Sequence, residues 1–120
     1  MVRQVGATFT EELATVVHHP KLTKKIDADA WVVGPGLGTA APDLLEKLLA
    51  TSAPLVIDAD ALNALASDKD LRKALRKRNG LAVLTPHGGE AHRLAAGFDV
   101  QWSDQPAELA RRLAQATRSV

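Results

Sequence analysis

The chain has 120 residues with 15 Lys+Arg against 14 Asp+Glu, a formal charge of +1, and it is 46% hydrophobic and 24% charged, the balance of one ordinary globular domain that buries roughly two-thirds of its unfolded surface on folding. The absence of cysteine excludes disulfides, thiolate zinc sites and a cysteine nucleophile, and the near-neutral charge gives no global field for nucleic acid or membranes. Apolar runs far below the ~20 residues of a bilayer span, an N-terminus unlike a signal sequence, and aromatics at 3% without tyrosine predict a soluble, cytoplasmic protein without base-stacking platforms.

Apolar periodicity predicts an alternation of strands and helices. Val2 to Val5 reads as a strand, followed by a helical stretch from Thr10, a candidate N-cap, through Leu13, Val16 and Val17 to His19-Pro20. His18-His19 reads as that helix's end rather than as a site. Ala30 to Val33 is a β-prone run stopped by Gly34-Pro35-Gly36-Leu37-Gly38, after which Thr39 opens a helix with Pro42 in its first turn and Leu44, Leu45, Leu48 and Leu49 at helical spacing. Pro54 to Ile57 forms the next strand, closed by Asp58-Ala59-Asp60. Ala61 to Ala66 and Leu71 to Lys77 read as helices broken at Ser67-Asp68, and Leu81 to Leu84 as a further strand. Thr85-Pro86-His87-Gly88-Gly89-Glu90 then leads into a helix through Leu94, and a last helix runs from about Ser103 to Thr117. Short apolar runs without polar alternation predict strands buried on both faces. The fold class that follows is α/β, a three-layer αβα sandwich with a mainly parallel sheet. The alternation calls for another strand after the last helix, where only Arg118-Ser119-Val120 remain, so the sandwich is expected to be incomplete.

In open α/β sheets ligands bind beyond the carboxyl ends of the strands, and three strand ends here carry unusual residues. The loop Gly34 to Gly38 lies between a strand and a helix, where glycines bring backbone N–H groups close to an anionic ligand. Its spacing is not the dinucleotide fingerprint, and a plain tight turn is the competing reading. Asp58 and Asp60 could hold Mg²⁺ through water, position a hydroxyl or accept from a ribose, while Asp60 also stands where an N-cap for the following helix is expected. His87, beside two glycines, could donate to a substrate oxygen or carry a proton, and Glu90 in the next helix's first turn has capping as its simpler role. His87, Glu90 and His92 lack the helical metal-binding spacing, so no protein-ligated metal is expected. The basic stretch Lys69 to Arg78 reads as a solvated helix face, with a nucleotide or RNA patch as the alternative.

The ordered motifs Val32-Val33-Gly34-Pro35-Gly36-Leu37-Gly38, Val56-Ile57-Asp58-Ala59-Asp60-Ala61-Leu62-Asn63-Ala64-Leu65 and Leu84-Thr85-Pro86-His87-Gly88-Gly89-Glu90 resemble those of the ADP/ATP-dependent NAD(P)H-hydrate dehydratases. The similarity runs from about Val2 to Leu113. The resemblance implies a ribokinase-like, carbohydrate-kinase-type fold, a hydrated NADH or NADPH dinucleotide as substrate, and ADP or ATP with Mg²⁺ as co-reactant. It places Gly36, Gly38, Asp58, Asn63 and His87 against the hydrated dinucleotide and Glu90 nearer the nucleotide phosphates and Mg²⁺. Gly88 stands where the family usually has Pro, and Lys21 where it tends to have Glu. The family's Lys-Gly, Asn-Thr-Gly-Asn and Gly-Ser/Thr-Gly-Asp motifs, the last supplying the anion hole and the Asp base, have no counterpart in these residues. Residues 1–120 are therefore expected to be the central, substrate-side portion of such a domain, with no catalytic residue of their own and little dehydratase activity alone. The alternatives are a non-catalytic nucleotide-binding module, completed by another chain or by self-association over open sheet edges, and a small-alcohol kinase of the ribokinase superfamily.

Overall fold

The computed structural model describes Val2–Val5, Val17–His18 and residues 28–120. Strands β1 (Val2–Val5), β2 (Val17–His18), β3 (Ala30–Val33), β4 (Leu55–Ile57) and β5 (Ala82–Leu84) form one sheet in the order β2-β1-β3-β4-β5, every neighbouring pair parallel. The helices are α1 (Ala41–Leu49), α2 (Ala59–Ser67), α3 (Lys69–Lys77), α4 (Gly88–Gly97) and α5 (Pro106–Thr117), with a single 3₁₀ turn at Gly38–Ala40 leading into α1. The strand order reverses at β1, so the crevice between the carboxyl ends of β1 and β3 is the topological switch point, where ligands of such sheets bind.

The predicted helix from Thr10 through Leu13 and Val16 lies outside the described residues, as do His19, Pro20 and Lys21. Its last predicted turn is a correction. Val17 and His18 pair with Arg3 and Gln4 as a short edge strand; Val17 is β-branched and suits a pleated edge at least as well as a helix end.

The register aligns Trp31 with Leu55 and Ala82, and Val33 with Ile57 and Leu84. Trp31, Val33, Leu55 and Ile57 are buried in one cluster with Leu44, Leu45, Leu62, Leu65 and Leu94. Val32, Val56 and Val83, on the opposite face, are only half-buried. The face opposite this cluster is, among the described residues, less deeply buried than the face that meets it. Among the described residues, the contiguous contacts of α1 with α2 and α3, of α2 with α3 and α4, and of α3 with α5 join the helices into one layer.

The basic run on α3 is not simply solvated. Asp68 caps α3 by accepting from the N–H groups of Asp70 and Leu71 at 2.7 and 3.3 Å, and the arginines that follow reach the carboxyl ends of three neighbouring helices. Arg72 donates to the carbonyl of Ala66 on α2 at 2.7 Å, and Arg76 to Ala116 on α5 at 2.8 Å. Arg78 donates to Leu48 and Leu49 at the end of α1, at 2.9 and 3.2 Å, and to Thr51 and Ala53 in the loop beyond. Each adds a donor to carbonyls at or just beyond a helix end, and each places a cation where the helix dipole favours one. Arg72 and Arg76 also lie over the Phe98 ring, 5.9 and 5.1 Å from its centroid. Burial lowers the Arg78 pKa from its ordinary value without discharging a guanidinium at neutral pH.

The Arg78 contacts make a test of this arrangement. Arg78→Ala strips four carbonyls of a charged donor and is expected to cost about 2–3 kcal/mol in urea unfolding. Arg78→Lys is expected to recover less than half of that, because one ammonium cannot span the same carbonyls.

Candidate functional site

The carboxyl ends of β3 and β4 touch through backbone. Gly34 has φ +135°, and a Cβ there would fall 1.7 Å from the Asp58 carbonyl oxygen, so no other residue fits. The Asp58 N–H donates to the Val33 carbonyl at 3.0 Å, and Leu37 N–H turns back to Gly34 at 3.2 Å. Gly36 and Gly38 also hold positive φ, 69° and 53°. Gly34 is therefore structural, while Gly36 and Gly38 shape a loop whose backbone lies at the surface.

Across from this loop, the turn from β4 into α2 places the acidic pair. Asp60 is not the N-cap expected of it. The cap position is held by Asp58, whose side chain makes no capping bond, because α2 starts two residues earlier than its apolar spacing indicates. The Asp60 carboxylate instead accepts the Gly38 N–H at 2.8 Å, pinning the glycine loop to the first turn of α2. Ala59 between them has φ 47°, a conformation costly for a residue with a Cβ, of the kind that accumulates at functional turns.

His87 caps α4. Its Nδ1 accepts from Gly89 N–H at 3.2 Å, and its own N–H donates to Glu90 Oε2 at 3.0 Å, a reciprocal capping box. The Glu90 Oε1 lies 3.0 Å from His87 Nε2. With Nδ1 accepting, the geometry assigns the ring proton to Nε2, donating to Glu90. The Glu90 side chain is 6% exposed and the His87 side chain 68%, so the carboxylate is an anchor sunk beneath an exposed ring.

Asn63 lies one turn beyond Asp60 on α2 and accepts from Arg93 Nε of α4 at 2.8 Å. The structure thus links Gly38 to Asp60 and Asn63 to Arg93 along one side of α2, with the His87–Glu90 box at the head of α4. Arg93 was not among the residues singled out from sequence. Its signal is positional, three residues after Glu90 on a helix and so on the same side.

A cavity of about 340 Å³ opens between the start of α4, the loop 101–105 and α5, lined by Pro86, Gly88, Ala91, Trp102, Asp104 and Leu109 among others. It meets the site only at Pro86 and Gly88 and is mainly apolar. Trp102 donates to Asp104 at 2.9 Å and packs on His92 with ring centroids 5.2 Å apart. Among the described residues no three His, Cys, Asp or Glu side chains gather as a metal cage.

A protein-family model described as NAD(P)H-hydrate dehydratase matches residues 3–120. The bifunctional NAD(P)H-hydrate repair enzyme Nnr of Corynebacterium glutamicum is 39% identical over 126 residues, covering 96% of this chain and 22% of its own length. The enzyme of the same name from Mycobacterium tuberculosis is 44% identical over 100 residues, covering 79% of this chain and 20% of its own length. The ADP-dependent (S)-NAD(P)H-hydrate dehydratase of Neisseria meningitidis is 49% identical over 77 residues, covering 61% of this chain and 26% of its own length. The chain spans about a fifth to a quarter of the length of these curated relatives.

The glycine loop separates close approach from conformational freedom. Gly34→Ala must displace the Asp58 carbonyl and is expected to prevent cooperative folding, whereas a Cβ at Gly38 meets nothing within 4 Å. Gly38→Ala is expected to lower stability by only about 1–2 kcal/mol, the cost of the left-handed backbone alone. Thermal unfolding followed by circular dichroism reads both.

Proposed function

Because the chain belongs to the NAD(P)H-hydrate dehydratase family, we propose that residues 1–120 form the substrate-side portion of a dehydratase domain, binding hydrated NADH or NADPH across the carboxyl ends of β3, β4 and β5. The observation that carries this reading is the Asp60 bond to Gly38 N–H, which draws the glycine loop after β3 and the acidic turn after β4 into one cleft wall beside the topological switch point. The Leu37 and Gly38 N–H groups bond within the protein, so it is the exposed Gly36 N–H that faces a phosphate or hydroxyl oxygen of the dinucleotide. Asp58, whose carboxylate has no protein partner among the described residues, accepts a hydrogen bond from a hydroxyl of the dinucleotide. Asn63 and the exposed edge of His87 complete the same wall.

ADP or ATP drives the loss of water in this family's reaction by activating the hydroxyl of the hydrated ring. Of the three cleft carboxylates Glu90 is committed to His87, so Asp58 and Asp60 are the two that would hold a hydrated magnesium beside nucleotide phosphates. The role for Glu90 is accordingly that of an anchor for the His87 loop rather than a phosphate-side ligand. No helix among the described residues is long and apolar enough to cross a membrane.

Thermal denaturation of the purified chain tests the reading. Hydrated NADPH or NADH at about a hundred times its dissociation constant is expected to stabilise the chain by about 2.7 kcal/mol, with no rise from hydroxymethylpyrimidine or thiazole alcohols. A rise with the alcohols alone transfers the assignment to a small-alcohol kinase. Val120 already occupies the outer edge of β5 at Ala82 and Leu84, so pairing with a second copy or a completing chain falls to β2, the sheet's other edge. Sedimentation is expected to show concentration-dependent dimers; a monomer at all concentrations removes the second copy as partner.

A further inference from the structure

We propose that Arg93 is a positioning residue for Asn63, holding its amide so that Nδ2, and not Oδ1, is offered to the bound dinucleotide. The inference rests on the cleft being the dinucleotide site. A guanidinium has five N–H donors and no acceptor. With Arg93 Nε donating to Asn63 Oδ1 at 2.8 Å, the flipped amide would set donor against donor, so one of the two amide orientations is removed.

The orientation is held from both sides. On α2, Asn63 follows Asp60 by three residues, the spacing that places two side chains on one helix face, and Asp60 is itself fixed to Gly38. On α4, a Cβ built at Gly89 would lie 3.6 Å from Arg93 Nη1 and 3.3 Å from His87 Cε1, so the guanidinium and the imidazole flank the same glycine. The two helices cannot slide apart freely. At the far end of α4 a Cβ at Gly97 would fall 2.4 Å from the Ala66 carbonyl oxygen of α2, which marks a close backbone contact.

Asn63 Nδ2 has no hydrogen-bond partner among the described residues. Position 63 therefore presents a donor, which selects an oxygen acceptor of the dinucleotide: a phosphate, ribose or carboxamide oxygen. Aspartate at this position would keep Arg93 as a partner, as an ion pair, yet turn only acceptor oxygens toward the ligand. Sterically similar residues thus give opposite recognition.

A double-mutant cycle on the 120-residue chain tests this, with NADPH as the probe in calorimetric titration and the melting midpoint recorded for every variant. Asn63→Ala and Arg93→Leu are each expected to weaken NADPH binding by about 3–10-fold, the loss of one hydrogen bond. The double variant is expected to be no weaker than Asn63→Ala alone. Asn63→Asp should bind at least as poorly as Asn63→Ala while melting no lower than the unsubstituted chain. Fully additive losses, or Asn63→Asp binding like the unsubstituted chain, overturn the positioning role and leave the dinucleotide site standing. Failure of the unsubstituted chain to bind either NADPH or hydrated NADPH overturns both. Independently of ligand, NMR of the free chain should show an Arg93 Nε–H signal that broadens away in Asn63→Ala, and its absence from the unsubstituted chain sinks the proposal.

Discussion

The contact of Gly34 with the Asp58 carbonyl sets the ligand end of this sheet. Two strand ends that approach so closely leave no room for a side chain between them, and the two loops leaving them are forced to share one wall. The positive φ at Ala59 belongs to the same constraint, because the chain must turn sharply from β4 into α2 while its carbonyl faces Gly34. The first turn of α2 then lies beside the glycine loop, close enough for Asp60 to take the Gly38 N–H. A strained backbone at a βα turn persists only where surrounding contacts over-determine it, and here the Gly34 contact, the Asp58 bond to Val33 and the burial of Ala61 and Leu62 supply them.

Helix α2 passes this order on to α4, and α3 stabilises the assembly from behind. Asp60 and Asn63 couple α2 to the glycine loop on one side and to Arg93 on the other. The arginines of α3 divide among the ends of α1, α2 and α5. Charge is thus used in two different ways. On α3 it terminates other helices, where partial negative charge is already present. At the cleft it sits on short side chains whose partners are backbone N–H groups or single side chains, leaving Asp58 uncommitted among the described residues.

Four of the five strands, the parallel sheet and the three strand-end motifs were legible in the sequence, because short apolar runs and Gly/Pro punctuation report directly on buried strands and the turns after them. Assignments within those motifs were less so. Asp60 read as a cap because the apolar spacing of α2 starts at Ala61, but the helix begins at Ala59 and moves the cap to Asp58. The partner of Asn63 lies 30 residues away, and no local pattern specifies a pairing across two helices. Arg78 read as one more charge on a wet helix face, since the α1 carbonyls it meets are brought near only by the fold. His87 was recognised as special, but its ring nitrogens turn inward to its own loop, over Gly89, where a Cβ would lie 3.3 Å from His87 Cε1.

Pro86 separates the sheet from the site. Along β5, Val120 donates to the Ala82 carbonyl at 2.9 Å and accepts from Leu84 N–H at 2.8 Å, while Thr85 N–H turns the other way, to Ile57 of β4 at 3.2 Å. Residues 82 and 84 therefore serve the outer edge, and by the two-residue period of a strand position 86 comes next on that edge. Proline has no N–H to offer there. A strand arriving at Val120 can extend to the Leu84 carbonyl and no further, so the ladder stops where the His87 loop begins. Sheet pairing on the outer edge and capping of α4 are kept from competing for the same backbone, which leaves His87, Gly88 and Gly89 free to shape the cleft.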